Sequence, residues 1–149
     1  AKVRLNEKFD MALLLFDSAN HLNSLSHVIR VFRNARRHLK PGGFFIFDFV
    51  TPSGMEEWEE INIKRTDKFT LFYYGYYYQE KMISDIFIEA FIKKGQKYRR
   101  VFQKIVERSY PPSDIINGLN RSGFKKIMVS SYDTREEIKT ASRLWFVCS

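Results

Sequence analysis

The sequence predicts an α/β fold in which parallel strands are joined by a helix and interrupted by an antiparallel β insertion. Short continuous apolar runs at 9–16 (FDMALLLF) and 44–50 (FFIFDFV) are typical of strands buried on both faces. Between these runs, apolar residues recur at three- and four-residue spacing, which indicates an amphipathic helix. Further along, three long stretches rich in aromatic and β-branched residues indicate antiparallel strands.

The first part of the chain predicts a strand–helix–strand unit. Ser24 or Ser26 is the candidate N-cap of the helix, and Pro41 followed by two glycines marks the turn after it. A unit this short has parallel strands and a right-handed crossover. Ligands of open α/β sheets bind beyond the carboxyl ends of the strands. We therefore look for site residues in the DSANHL loop after the first strand and at Asp48 near the end of the second.

Residues 55 to 110 predict an insertion that consists of a short acidic helix and a three-stranded antiparallel meander. The helix is predicted at 55–60, and the strands at 68–79, 82–93 and 97–109. Gly75 indicates either a β-bulge or a close approach of two backbones.

The α/β pattern resumes after the insertion. Ser113 is the predicted N-cap of a helix that ends near Gly123. Two strands, 124–132 and 143–149, then predict a closing hairpin around the charged linker 133–141.

Composition indicates one soluble domain, which we expect to be cytoplasmic. The chain has 149 residues and a net charge of +8, and it has no apolar run as long as the roughly 20 residues of a membrane span. The single cysteine, Cys148, supports neither a disulfide framework nor a thiolate metal cluster, and we predict no metal site. The densest basic run is read either as a solvated helix face or as a phosphate-binding face; it comprises Arg30, Arg33, Arg36, Arg37 and Lys40.

Two segments, FDMALLLFDSANHL (9–22) and LKPGGFFIFDFVTP (39–52), resemble the later half of class I S-adenosylmethionine-dependent methyltransferases. The aromatic insertion, the Gly123-Phe124 step and the closing hairpin also follow that family's order. The DSANHL loop and the insertion are most similar to small-molecule N-methyltransferases that act on glycine or amino sugars. The resemblance implies a Rossmann-like methyltransferase fold that binds S-adenosylmethionine and methylates a small, amine-bearing acceptor.

The chain departs from this family at its start. It contains no G-x-G-x-G, the loop whose amides meet the cofactor, and only AKVRLNEK precedes Phe9. That segment is similar to the tail of the loop beside the adenine. We therefore expect residues 1 to 149 to form a C-terminal portion of a methyltransferase domain, partial in fold, impaired in cofactor binding and inactive alone.

The resemblance also implies roles for individual residues. Leu15, Phe16 and Ser18 would flank the methionine part of the cofactor, although Leu15 and Phe16 are equally suited to core packing. Asp17 would orient the amine or attract its cation, or else serve an Asx turn or helix cap. His21 is the candidate general base, and a loop-stabilising hydrogen bond is its alternative role.

Other residues are assigned less narrowly. Asp48 is a candidate for substrate binding or a structural residue, whereas His27 and His38 are expected at the surface. Alternation along a strand sends tyrosines to both faces of the meander. One face would cover the acceptor or pack against another subunit, and no single residue is selected among Tyr73, Tyr74, Tyr76, Tyr77 and Tyr78.

Two other functions compete with methyl transfer. A basic helix and an aromatic sheet suit single-stranded RNA, but the charge is dispersed and no RNP-like Gly-aromatic pattern is present, which argues against a nucleic-acid partner. An interaction domain that dimerises is the other alternative. For any of these functions we expect no membrane partner, and self-association through an exposed sheet edge or the aromatic insertion.

Overall fold

The computed structural model describes residues 4–133, 135 and 137–149, with Trp58 described by its backbone alone. Residues 1–3, which begin the AKVRLNEK segment, lie outside the described residues, as do Thr134 and Glu136 of the predicted linker.

The described part of the chain forms two four-stranded sheets and three α-helices. The main sheet has the strand order β1-β2-β8-β7 and contains β1 (Phe9–Leu14), β2 (Leu39–Val50), β7 (Ile127–Ser131) and β8 (Arg143–Cys148). The insertion sheet has the order β3-β4-β5-β6 and contains β3 (Asn62–Arg65), β4 (Phe69–Tyr78), β5 (Ile83–Lys94) and β6 (Lys97–Arg108). The helices are α1 (Leu25–His38), α2 (Pro52–Glu56) and α3 (Pro112–Arg121).

The pairing of the main sheet confirms the predicted α/β fold. Strand β1 pairs in parallel with β2, and α1 connects them. Strand β8 is antiparallel to both β2 and β7, as the predicted closing hairpin requires. None of the helices formed by the described residues is long and apolar enough to span a membrane.

Helix α1 packs an aromatic face on the main sheet. Ser24 is its N-cap, because the Ser24 hydroxyl accepts from the His27 N–H at 3.3 Å. Phe32 is fully buried and its ring lies 5.1 Å from that of Phe47. Burying a ring of this size stabilises the fold by roughly 2–3 kcal/mol. Arg30, Arg33 and Arg37 are exposed on the outer side, which fits the solvated face.

The LKPGG segment is part of a strand, so the prediction that β2 begins at residue 44 was wrong. Phe9 pairs with Leu39, but Met11 pairs with Phe44, and the intervening Pro-Gly-Gly forms a bulge in β2. A side chain at Gly43 would place its Cβ 3.0 Å from the Asp10 carbonyl oxygen. Glycine therefore allows the bulge to lie against β1.

Strand β1 is not buried on both faces, as its apolar run had suggested, and it ends at Leu14 rather than at residue 16. Phe9, Met11 and Leu13 are exposed, because the helices of the described chain cover the other face of the sheet. Strand β1 also lies at the edge of the main sheet.

The insertion has one strand more than predicted. Strand β3 pairs with β4 although all of its residues are exposed, so no alternating apolar pattern marked it in the sequence. The predicted acidic helix at 55–60 is instead α2, which starts at Pro52, followed by a single 3-10 turn at Glu57–Glu59. Gly75 pairs with Ile86 without a change of register, so the bulge predicted there does not form.

Three further expectations are corrected, two of them in the last third of the chain. Helix α3 is preceded by Pro111 and no side chain caps it, so the prediction of Ser113 as N-cap was wrong. Strand β7 begins at Ile127 rather than at residue 124. His38 is 9% exposed rather than at the surface, since its Nε2 accepts from the Leu5 N–H at 3.0 Å. Cys148 is buried, and burial raises the pKa of its thiol to about 12.

Candidate functional site

Asn20 joins the two sheets at the ends of β2 and β6. Its side-chain amide donates to the carbonyl oxygens of Val50 (2.9 Å) and Arg108 (3.0 Å), and its side-chain oxygen accepts from the Val50 N–H (3.0 Å). The Arg108 N–H donates to the Asn20 carbonyl oxygen at 2.8 Å. Asn20 is fully buried, so these bonds hold the DSANHL loop, the main sheet and the insertion sheet together where β1 and β2 end.

The turn after β1 has an uncommon backbone. Phe16 and Asp17 both lie in the left-handed region, with φ of +57° and +51°. The Asp17 carbonyl oxygen accepts from the Asn20 N–H at 2.7 Å, which closes the turn. The turn leaves the Phe16 ring 81% exposed and directs the Asp17 carboxylate toward the main sheet. Strained residues of this kind are concentrated at functional sites.

Arg143 bridges two aspartates at the ends of the main-sheet strands. Its guanidinium donates to Oδ2 of Asp48 and, at 3.3 Å, to Oδ2 of Asp17. The Asp17 N–H also donates to the same Asp48 oxygen at 3.0 Å. Asp48 is 2% exposed, and its Oδ1 has no hydrogen-bond partner among the described residues. One guanidinium therefore holds two carboxylates in fixed positions.

Glu107 brings a third carboxyl group to this place from the insertion. It is 3% exposed, and its Oε1 lies 3.5 Å from Nε2 of His21. Burial, followed by the negative charge of Asp17, raises the pKa of Glu107 to about 8, against a smaller lowering by Arg143. One ligand atom each from Asp17, His21 and Glu107 lies within 4.8 Å of the other two, a spacing that admits a cation.

Tyr73 of β4 lies near these acids. Burial raises its pKa, and the charges of Glu107 and Asp17 raise it further. Tyr77 shares that face, with its hydroxyl 3.5 Å from the Ser109 hydroxyl. Tyr74 and Tyr76 lie on the opposite face, where Tyr74 stacks on Phe87 at 5.2 Å. Alternation along β4 thus divides the tyrosines between the acid cluster and an outer aromatic surface.

A groove of about 340 Å³ opens beside the acids on the main-sheet side. Tyr132 and Trp145 form one wall as a stacked pair with ring centroids 6.0 Å apart, and the Arg143 guanidinium lies 5.8 Å from the Tyr132 ring. The remaining lining residues are Leu15, Phe16 and Asp48. A groove with aromatic walls and one charged end is typical of small-molecule sites.

The structure brings most of the predicted site residues together. Asp17 and His21 face the same acid cluster, and Leu15, Phe16 and Asp48 border the groove. Ser18 lies in the turn between them, where its hydroxyl donates to the Leu15 carbonyl oxygen at 2.6 Å. No contact with a ligand tests the roles predicted for these six residues.

The sequence did not reveal Glu107 or Arg143 as site residues. Arg143 is 126 positions from its partner Asp17, and Glu107 lies in a strand that is rich in charged residues and resembles a solvated strand. The signal that could have revealed Glu107 is the alternation of side chains along β6. Glu107 is two residues from Ile105, so both side chains lie on the same face of the sheet, and Ile105 pairs there with Ile86. A charged residue on the buried face of a strand, close to the end of that strand at a site, indicates a functional side chain.

Solved structures match the chain along nearly its whole length. An S-adenosylmethionine-dependent methyltransferase from Clostridium acetobutylicum matches 99% of this chain at 21% identity with a TM-score of 0.85. The CcbJ methyltransferase from Streptomyces caelestis (15% identity, TM-score 0.78) and the sugar N-methyltransferase KedS8 from a Streptoalloteichus species (17%, 0.77) also match 99% of it. The chain has part of the Rossmann-like methyltransferase fold.

This chain spans about three fifths of those structures: 61%, 59% and 58% of their respective lengths. No protein-family model matches the sequence, and no curated protein matches it significantly. The similarity confirms the predicted partial Rossmann-like methyltransferase fold, and it provides no support for the RNA-binding alternative.

Proposed function

We propose that this chain forms the acceptor-binding side of an S-adenosylmethionine-dependent methyltransferase whose substrate is a small molecule with an amine. The observation that carries the proposal is the group of three carboxyls, Asp17, Asp48 and Glu107, held at the strand ends with one guanidinium among them. Such a site has more carboxyl groups than cations and is suited to an organic cation. The similarity in fold to the sugar N-methyltransferase KedS8 supports an amine acceptor.

The residues after β1 fit one side of a cofactor site. The exposed Phe16 ring and the strand end at Leu15 offer contact surface, and the Ser18 hydroxyl holds the turn between them. These residues would flank the methionine part of S-adenosylmethionine, which supplies an electrophilic methyl group when bound. Because this sequence contains no G-x-G-x-G, it fits only that side of the cofactor.

The acid cluster would prepare the acceptor. Asp17 is held by Arg143 and would orient the amine, while Asp48, with one oxygen unpaired at the edge of the groove, would bind another polar group of the acceptor. His21 is half-exposed and lies beside Glu107, so it would pass a proton from the acceptor site to water. The insertion sheet would exclude water from the other side.

Two measurements test this function. Calorimetric titration of S-adenosylmethionine into the full-length gene product is expected to give saturable binding, and the 149-residue chain alone is expected to bind much more weakly. A panel of small amines and matched alcohols, assayed for transfer of labelled methyl groups, should show transfer to amines only. A folded full-length protein without cofactor binding would refute the proposal.

A His21→Ala variant tests the assigned proton carrier. We expect its kcat to fall by roughly 10²-fold or more, because general acid–base groups contribute about that much, with little change in cofactor affinity. A His27→Ala variant on the exposed side of α1 is the control and should keep both values. Unchanged turnover in His21→Ala would leave His21 with a structural role.

A further inference from the structure

Glu107 is buried with one carboxyl oxygen unsatisfied. It is 3% exposed, its Oε1 faces His21 Nε2 at 3.5 Å, and its Oε2 has no hydrogen-bond partner among the described residues. An unsatisfied buried carboxyl oxygen costs free energy that a purely structural residue would not need to incur. This oxygen is therefore available to a ligand.

The charged groups around Glu107 leave it without a cation of its own. Arg143 is engaged by Asp17 and Asp48, and Tyr73 contributes no positive charge. His21 is the remaining neighbour, and it is half-exposed. Within the described chain, one guanidinium thus faces three carboxyl groups.

The positions of the acceptor atoms match a protonated amine. Asp17, His21 and Glu107 each offer one acceptor atom, and all three lie within 4.8 Å of one another. A primary ammonium has three divergent N–H donors with N···O distances near 2.9 Å, so one nitrogen can reach all three acceptors.

We infer that Glu107, together with Asp17 and His21, binds the ammonium group of the acceptor and accepts its proton. This inference rests on the proposed methyltransferase function. The ammonium binds the ionised form of Glu107, whose own proton passes to water on binding. In the transfer, an N–H bond of the ammonium then breaks, the proton bonds to the Glu107 carboxylate, and the nitrogen keeps the electron pair as a lone pair. Glu107 thereby becomes a neutral acid and the amine a neutral nucleophile.

The ionisation of Glu107 supports this assignment. Its pKa, raised to about 8 by burial and by Asp17, lies closer to that of an aliphatic amine than an ordinary carboxylate's does. The free energy of proton transfer from the ammonium to Glu107 is then less unfavourable. A metal dication is disfavoured, because the Arg143 guanidinium already lies 3.3 Å from Asp17.

The experiment measures binding of cyclohexylamine to the full-length protein, with cyclohexanol as the neutral probe of the same shape. Carbon-13 NMR of labelled glutamate carboxyls reports the ionisation of Glu107. We expect cyclohexylamine to bind and to shift the Glu107 signal toward the carboxylate, and cyclohexanol to do neither. Glu107→Gln should weaken amine binding at least tenfold and leave S-adenosylmethionine affinity unchanged, whereas the control Glu89→Gln, on the outer face of β5, should change neither.

Each other outcome has a definite meaning. Equal amine affinity in wild type and Glu107→Gln, both folded by circular dichroism, would overturn this inference while leaving the methyltransferase proposal standing if cofactor still binds. Glu107-dependent amine binding without any cofactor binding would refute the methyltransferase proposal and support the binding of an ammonium group by Glu107. Glu107-dependent binding of Mn²⁺ that displaces the amine would overturn it in favour of a metal site.

Discussion

At the scale of single residues, Glu107 is expected to make the stability of the protein depend on pH. Its pKa rises from 4.5 to about 8 on folding, so the unfolded chain releases this proton at a lower pH than the folded one. The contribution of Glu107 to stability is therefore full below about pH 4.5 and is lost as pH rises to 8. We expect this group to lower the free energy of unfolding by roughly 4 kcal/mol over that range.

Urea unfolding at pH 5, 6.5 and 8 measures this dependence. In Glu107→Gln the side chain at position 107 is neutral at every pH, so most of the decline in the free energy of unfolding should disappear. Glu89→Gln only breaks an ion pair with Arg100 and should keep that decline. A slope identical in wild type and Glu107→Gln would contradict the assignment.

We expect Asn20 to contribute more to the free energy of unfolding than its size suggests. An Asn20→Ala variant loses three side-chain hydrogen bonds, two of them buried, and leaves the Val50 and Arg108 backbone groups without those partners. We expect a loss of about 2–4 kcal/mol in urea unfolding. Asn120→Ala, at an exposed position near the end of α3, should change stability by no more than about 0.5 kcal/mol.

The sequence was informative about residues that are close to each other along the chain. Asp17 and His21 could be predicted as site residues because the DSANHL loop follows a strand end, and strand ends in α/β sheets are recognisable from local patterns. Their partners Arg143 and Glu107 arrive from β8 and β6 through long-range pairing, which a local pattern does not encode. His38 was misjudged for the same reason, since a distant backbone N–H covers it.

At the scale of elements, α2 depends on a close contact that only glycine allows. A Cβ at Gly54 would lie 2.0 Å from the Ser142 carbonyl oxygen and 2.9 Å from a Val50 methyl group. Gly54→Ala should therefore displace α2 from the main sheet and cost at least about 2 kcal/mol. Ser53→Ala, on the exposed side of the same helix, is the control and should stay within about 0.5 kcal/mol in thermal unfolding.

Elements were predictable where the side chains repeat with a period or have a strong composition. Helix α1 was found because its apolar residues recur at helical spacing, and strands β4, β5 and β6 were found because they are rich in aromatic and β-branched residues. Strand β3 was missed because its pairing uses backbone groups and all its side chains face solvent. The Pro-Gly-Gly bulge was taken for a turn, since glycine and proline mark both structures equally.

At the scale of the whole molecule, the described residues leave the main sheet with an open edge and an uncovered apolar face. Leu13 is 56% exposed and pairs with Ile46 in a row that continues through Val147 to Met128, itself 68% exposed. Unpaired edges and apolar faces of this kind promote association between chains. We expect the 149-residue chain to self-associate through this face.

Sedimentation velocity tests this expectation. Leu13→Lys places a charge in the apolar row and should shift the chain toward monomer at the same concentration. Ile138→Lys, which changes an exposed side chain of the linker, should leave the distribution unaltered. A monomeric wild-type chain would contradict the expectation.

The strand order also has a consequence for biosynthesis. Strand β8 follows the other described strands in the chain, yet it lies between β2 and β7 and contributes the fully buried Phe146 and Cys148. While the ribosome extends the chain, β2 and β7 have no common partner, and the main sheet cannot close until β8 has been translated and has left the exit tunnel. The insertion sheet pairs only consecutive strands, so it can form first. A translational pause before β8 would therefore expose nascent chains with an organised insertion and an unfinished core.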